Sequence, residues 1–183
     1  MPGSYSSQGP VIDAILTLIA GLSAVTTANP PVVVFDGPPG GAHVPDTFIA
    51  IAGQEREPRI ATGTEEWAWL GTGARYENYN IVGHVYAYVG GDDNLGQYGT
   101  SAQKTARDQA TVLMQAIEEG LIADVKLANE NNGLALVIWA YVTQVDLQQT
   151  PVGDPSSAKG RWAQYDFTIN VKNTLTGPNF YDA

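Results

Sequence analysis

The residues in this sequence that could do chemistry are few and poorly placed to act together. Cysteine is absent from the 183 residues, which excludes a thiol nucleophile, a thiolate metal site and a disulfide. The histidines are His43 and His84. His43 falls in a Pro/Gly-rich stretch and His84 in a strand pattern, and neither stands at a fixed spacing from the other or from a carboxylate. A general base must lie within hydrogen-bond reach of its partners, so structural roles are expected for both. Glu65-Glu66 and Glu118-Glu119 are adjacent pairs, and successive residues point to different sides of a strand or helix, so neither forms a catalytic dyad directly. Asp92-Asp93-Asn94 offers oxygens for calcium but lacks the spaced ligands and closing Glu of an EF-hand loop, which leaves an exposed turn as the better reading. Gly71-Thr72-Gly73-Ala74 precedes a strand rather than a helix, so no helix N-terminus would face a phosphate, and a hairpin turn is expected. There is neither a G-x-S-x-G elbow nor a Walker phosphate loop. The expectation is a protein without catalytic residues, cofactor or metal.

The charge balance points the same way. Nineteen acids against nine bases give a formal net charge of −10, and the bases are scattered from Arg56 to Lys172. Such a surface repels free nucleic acid, although DNA could slide past it without sticking. The most apolar stretch, Val11 to Val25, contains Asp13 and has no basic run before it. A spanning helix needs about 20 apolar residues and a signal peptide begins with Lys or Arg, so no membrane association is expected. The absence of cysteine fits a reducing compartment. The length fits one domain, with a core over about residues 10–173 and a C-terminal arm over 174–183 that lacks periodicity.

The elements that must position these residues follow from periodicity. Val11, Ile12, Ile15, Leu18, Ile19 and Leu22 form one stripe of a helix over Gly9 to Val25, with Pro10 at its first position and Asp13 in its first turn. Asn29-Pro30-Pro31 ends it. Short strands are expected at Val32–Phe35 and Thr47–Ala52, then a charged loop over Gln54 to Thr64. Glu66–Leu70 and Arg75–Val89 form two strands, the second with Ile81, Val85, Ala87 and Val89 on one face and Val82, His84, Tyr86 and Tyr88 on the other. A second helix begins at the capping box Thr100-Ser101-Ala102-Gln103, buries Ala102, Ala106, Ala110, Leu113 and Ile117, and ends with Gly120 as its C′ residue. Its charges oppose the macrodipole, with Lys104 and Arg107 early and Glu118 and Glu119 late, which either a surface helix tolerates or a partner offsets. Leu134 to Leu147 is apolar on both faces, the pattern of a central strand covered on both sides, with Val145 on the face of Trp139 and Tyr141. Arg161 to Lys172 alternates, with Ala163, Tyr165, Phe167, Ile169 and Val171 inward, and a long hairpin loop over Gln148 to Gly160 precedes it. The fold class is therefore α+β, a mixed, mostly antiparallel sheet with two helices packed on one face.

The sheet face away from the helices collects rings with polar tips. Trp67, Trp69, Tyr86, Tyr88, Trp139, Tyr141 and Trp162 are candidate subunit-interface residues, because such rings suit half-wet interfaces. The same face could be a core covered by the Trp67/Trp69 strand, or, with His84, the wall of a small-molecule pocket.

The order of segments also resembles a known family. An amphipathic first helix leads into Val34-Phe35-Asp36-Gly37-Pro38, followed by Asp46-Thr47-Phe48-Ile49-Ala50-Ile51-Ala52-Gly53 and Arg75-Tyr76-Glu77-Asn78-Tyr79-Asn80-Ile81; the Ala106-to-Leu121 helix and a closing strand pair complete the series. This resembles the tail terminator proteins of long-tailed, siphovirus-type bacteriophages, especially those of actinobacteria, over most of residues 10–173. The resemblance implies a homo-oligomer, a hexameric ring that caps the head-proximal end of the tail tube in the virion after assembly in the host cytoplasm. Its implied partners are the tail tube protein and the head–tail connector or stopper, with genome DNA passing through without specific binding. A head–tail stopper or a tail tube subunit is the alternative within the same style of fold.

Overall fold

The computed structural model describes residues 7–40, 44–51, 61–67, 74–90, 101–127, 137–151 and 160–176. Its elements are α1 (Gln8–Gly21), α2 (Ser23–Thr26), β1 (Val33–Asp36), β2 (Thr47–Ile51), β3 (Ala61–Trp67), β4 (Ala74–Gly90), α3 (Ala102–Ala123), β5 (Trp139–Pro151) and β6 (Gly160–Thr176). The strands form a 6-stranded sheet in the order β1-β2-β4-β6-β5, and β3 pairs with β4 beside that path. β1 and β2 are parallel and every other pair is antiparallel. The α+β class, with a mixed and mostly antiparallel sheet and helices packed against it, is as the periodicities predict.

The two long strands β4 and β6 are the spine of the sheet. They pair from Ala74↔Thr176 to Gly90↔Gly160, and their alternation turns Ile81, Val85, Ala87, Ala163, Phe167, Ile169 and Val171 into the core. Onto this inner face α1 brings Val11, Ile15 and Ile19, and α3 brings Ala106, Ala110, Leu113 and Ile117. Each large aliphatic side chain buried here contributes roughly 1.5–3 kcal/mol relative to exposure.

Several local expectations change. The first helix is not continuous to Val25: Leu22 takes an extended ψ of 138°, and a separate turn, α2, follows. α1 begins one residue before Gly9, with Ser7 at the N-cap, so Pro10 is the third helical residue, still among those whose N–H has no intrahelical acceptor. The first turn holds no acid. Instead Glu77 of β4 reaches its end and accepts from Ser7 N at 2.9 Å and Ser7 Oγ at 2.6 Å.

In α3 the cap is Ser101, whose Oγ accepts from Lys104 N at 3.1 Å. That places Lys104, not Gln103, three residues into the helix, so the reciprocal half of the capping box is missing, and Gln103 Nε2 donates to Trp162 O instead. Lys104 pairs one turn along with Asp108, so its charge is matched within its own helix. Gly120 does not end the helix, which continues to Ala123. A Cβ there would lie 2.8 Å from Leu22 Cδ2 and 3.0 Å from Leu18 Cδ2. Both atoms are the ends of flexible side chains that can turn aside, so glycine eases the close packing of α3 against Leu18 of α1 and the following Leu22 rather than being demanded by it, at a helix-propensity cost of about 1 kcal/mol.

Residues 61–64, expected in a loop, belong to β3, which pairs with β4 from Ala61↔Ile81 to Trp67↔Arg75. β3 thus lies in the plane of the sheet, in line with β2 along the same side of β4, and its backbone does not fold over the outer face. β5 is an edge strand rather than a central one. A register shift between Val142 and Gln144 reverses its alternation, so Val145 stands opposite Phe167 and Leu147 opposite Tyr165, on the helix side. The long hairpin narrows as well, because β5 extends to Pro151 and β6 begins at Gly160. β6 also runs on to Thr176, taking in the start of the expected arm.

Candidate functional site

The outer face of β4, β6 and β5 carries three zones set by register. At one end the rings of Phe35, Phe48, Tyr86 and Trp162 form a continuous row. Phe35 meets Phe48 edge-on at 5.8 Å, Phe48 stacks on Tyr86 at 5.0 Å, and Tyr86 on Trp162 at 5.9 Å. Offset ring pairs of this kind add about 0.5–1.5 kcal/mol beyond the area they bury. Burial, with the nearby Tyr88 and Asp46, pushes the Tyr86 phenol up from its usual 10.0.

The middle zone is polar. His84 and Asp166 are register partners on β4 and β6, and His84 Nδ1 lies 2.6 Å from Asp166 Oδ1. Asp166 also accepts from Gln148 Nε2 at 2.6 Å and Gln164 Nε2 at 2.5 Å. Asp146 stands opposite Asp166 in register and accepts from Gln144 Nε2 at 2.7 Å. His84, Gln144, Asp146, Gln148 and Asp166 border a pocket that Thr62 of β3 also lines. The cluster joins β4, β6 and β5 by charge-assisted hydrogen bonds. A carboxylate can orient an imidazole for base catalysis, but here both carboxylate oxygens are shared with glutamine amides. Among the described residues no group of three His, Cys, Asp or Glu side chains is placed to hold a metal ion.

At the far end Lys172 Nζ sits between two rings, 4.8 Å from the centroid of Tyr76 and 4.9 Å from that of Trp139. Asn170 Nδ2 donates to Asn80 Oδ1 at 2.9 Å beside it.

The candidate interface residues are therefore divided. Tyr86, Tyr88 and Trp162 share the first zone, where Tyr88 is the register partner of Trp162. Trp139 and Tyr141 are partners of Lys172 and Asn170 at the other end. From position 162 to position 172 along β6 is ~33 Å at strand rise, so Tyr88 and Trp139 do not line one pocket with His84. Trp67 is the register partner of Arg75 at the end of β3, and Trp69 lies outside the described residues, as do His43 and Asp92-Asp93-Asn94. Asp166 and Lys172 lie on this face as the outward alternation of β6 implies, whereas nothing local in the sequence marks Phe35 and Phe48 as members of it.

No protein-family model and no curated protein matches the sequence. The fold is similar to that of a chain solved within the "Virion of native gene transfer agent (GTA) particle", with a TM-score of 0.53 over 92% of this chain and 99% of that one at 13% identity. The likeness is one of fold, and it takes in nearly the whole of both chains.

Proposed function

We propose that this chain is a structural component of a phage-like particle, forming a ring that ends the tail tube and joins it to the head–tail connector. The observation that carries the reading is the end-to-end fold similarity to a chain of a gene transfer agent virion. A fold alone does not fix function. Here it meets a segment order that independently resembles the tail terminators, including the Phe35-Asp36-Gly37-Pro38-Pro39 run. The net charge of −10 suits a ring through which DNA passes without being held. The outer face supports the reading too: its chemistry is spent on joining strands, through ring stacking, the His84–Asp166 cluster and the Lys172 cation–π pair.

The test is an assembly assay. Purified protein is added to polymerising tail tube subunits, and tube length is followed by negative-stain microscopy. A terminator stops elongation and leaves a ring at one end. Unlimited tubes built from the protein itself identify a tube subunit instead, and no association with tubes at any concentration refutes the proposal.

A further inference from the structure

The end of α3 and the start of β5 leave an apolar surface open. Ile122 is 74% exposed and lines one hollow with Tyr141, and Val125 and Ile138 are exposed beside them. Backbone hydrogen bonds hold this junction together: Ala140 N donates to Val125 O at 2.7 Å and Val137 N to Lys126 O at 3.2 Å. Scattered exposed apolar side chains are ordinary, whereas a cluster marks a surface that something covers. Lys126 stands within this cluster, exposed and without an ion pair to any described residue. An unmatched base among apolar side chains suits a segment that brings rings and an acid together.

Such a segment lies within reach. β6 ends at Thr176, and Gly177-Pro178, a turn-forming pair, leads into Asn179-Phe180-Tyr181-Asp182. Trp139↔Lys172 is the last β5–β6 pair, so among the described residues no strand lies on the β5 side of β6 from Asn173 onward. Ile138 N donates to Lys172 O at 2.9 Å, which sets Ile138 level with Lys172, ~13 Å of strand before Thr176. Lys126, bonded to Val137, lies one chain further out at a similar distance from Thr176. Tyr181 and Asp182 span up to ~17 Å and ~20 Å from Thr176 when extended. Val112, the other exposed aliphatic of α3, is out of reach. It shares a groove with Thr47, whose row through Ala87 meets β6 at Ala163, ~43 Å of strand before Thr176.

We infer that residues 177–183 of the same chain are a strap over this junction. After a turn at Gly177-Pro178 the strap runs back along the β5 side of β6, covers Ile138 and Val125 with Phe180 and Tyr181, and sets Asp182 against Lys126. The occupant is the chain's own segment because a short tether holds it at an effective concentration on the order of millimolar, which a free partner seldom matches. The strap belongs to the single chain, so it stands or falls apart from the ring reading.

Chymotrypsin cuts after aromatic residues that are free to enter its pocket, so cleavage after Phe180 and Tyr181, followed by mass spectrometry, reads the strap directly. The wild type is compared with Val125→Asp, Ile138→Asp and Lys126→Glu, all at exposed positions. Each substitution should speed cleavage by about tenfold, the loss of about 1.4 kcal/mol of docking, with an unchanged circular dichroism spectrum. Ending the chain at Thr176 leaves β6 whole and should quicken hydrogen exchange over residues 122–126 and 137–141. Equal cleavage in all four proteins overturns the strap, and so does unchanged exchange in the shortened chain. Wild-type protection should be the same at every protein concentration; protection that rises with concentration shows the segment of a second copy as the occupant and overturns the inference.

Discussion

At Glu77 a carboxylate only 2% exposed is held by the backbone and side chain of Ser7, 70 positions earlier, and Ser7 Oγ also meets Tyr79 OH at 3.0 Å. Hydrogen bonds to a charged group are worth about 1.5–3 kcal/mol, and a donor left buried without an acceptor costs a similar amount. Glu77→Ala should therefore lower stability by about 2–3 kcal/mol in urea unfolding, and a loss below about 0.5 kcal/mol would show that α1 does not depend on this anchor. The same cluster sets an alkaline limit. Burial, opposed by the Ser7 hydrogen bond and reinforced by Glu77, pushes the Tyr79 phenol from 10.0 up to about 12. The unfolded chain then loses this proton near pH 10 while the folded chain still holds it, so the stabilisation is complete below about pH 10 and is lost as pH rises toward 12. Between those limits wild-type stability should fall more steeply than that of Tyr79→Phe, by on the order of 2 kcal/mol in total, and equal slopes for the two proteins would contradict the assignment. Some of this was legible in the residues. The alternation that buries Ile81 and Val85 also turns Glu77 inward, and it correctly sets His84 outward. The partners were not legible, because His84 and Asp166 meet across 82 residues through a register that no local pattern encodes.

Among the elements, the periodic ones were read best. α3, with Ala102, Ala106, Ala110, Leu113 and Ile117 buried, and β6, with its inward Ala163, Phe167, Ile169 and Val171, follow their patterns almost residue by residue. The misreadings arose where a tertiary contact outweighs a local signal. Gly120 looks like a helix end and is a crossing point, and a register shift at Thr143 reverses the β5 alternation that put Val145 beside Trp139. Such contacts also decide what the elements tolerate. At Gly83 a Cβ would stand 2.5 Å from Phe167 Cζ and 2.9 Å from the Ala50 carbonyl oxygen, which is backbone and cannot rotate away. Gly83→Ala should cost about 1–3 kcal/mol, as overpacked cores do. Adding Phe167→Leu should recover part of that loss in a double-mutant cycle followed by thermal unfolding, and simple additivity of the two changes would argue against the contact. Ser101→Ala removes the one side-chain cap of α3 and should cost about 1 kcal/mol, read as a lower melting temperature.

For the whole molecule, the α+β class was recoverable from the sequence, because the order of helical and strand periods limits the layers that can form. The placing of the strands was not. β5 reads as a central strand and stands at an edge, because strand order is set by pairings between segments far apart in sequence. The acidic charge and the fold similarity to a gene transfer agent virion chain are the observations on which the proposed role rests. The most direct measurement is immunogold labelling of this chain on purified tailed particles from cells that produce it, viewed by electron microscopy. The account predicts one gold cluster per particle, at the junction of head and tail. Gold along the tube, or particles that carry no label, would contradict it.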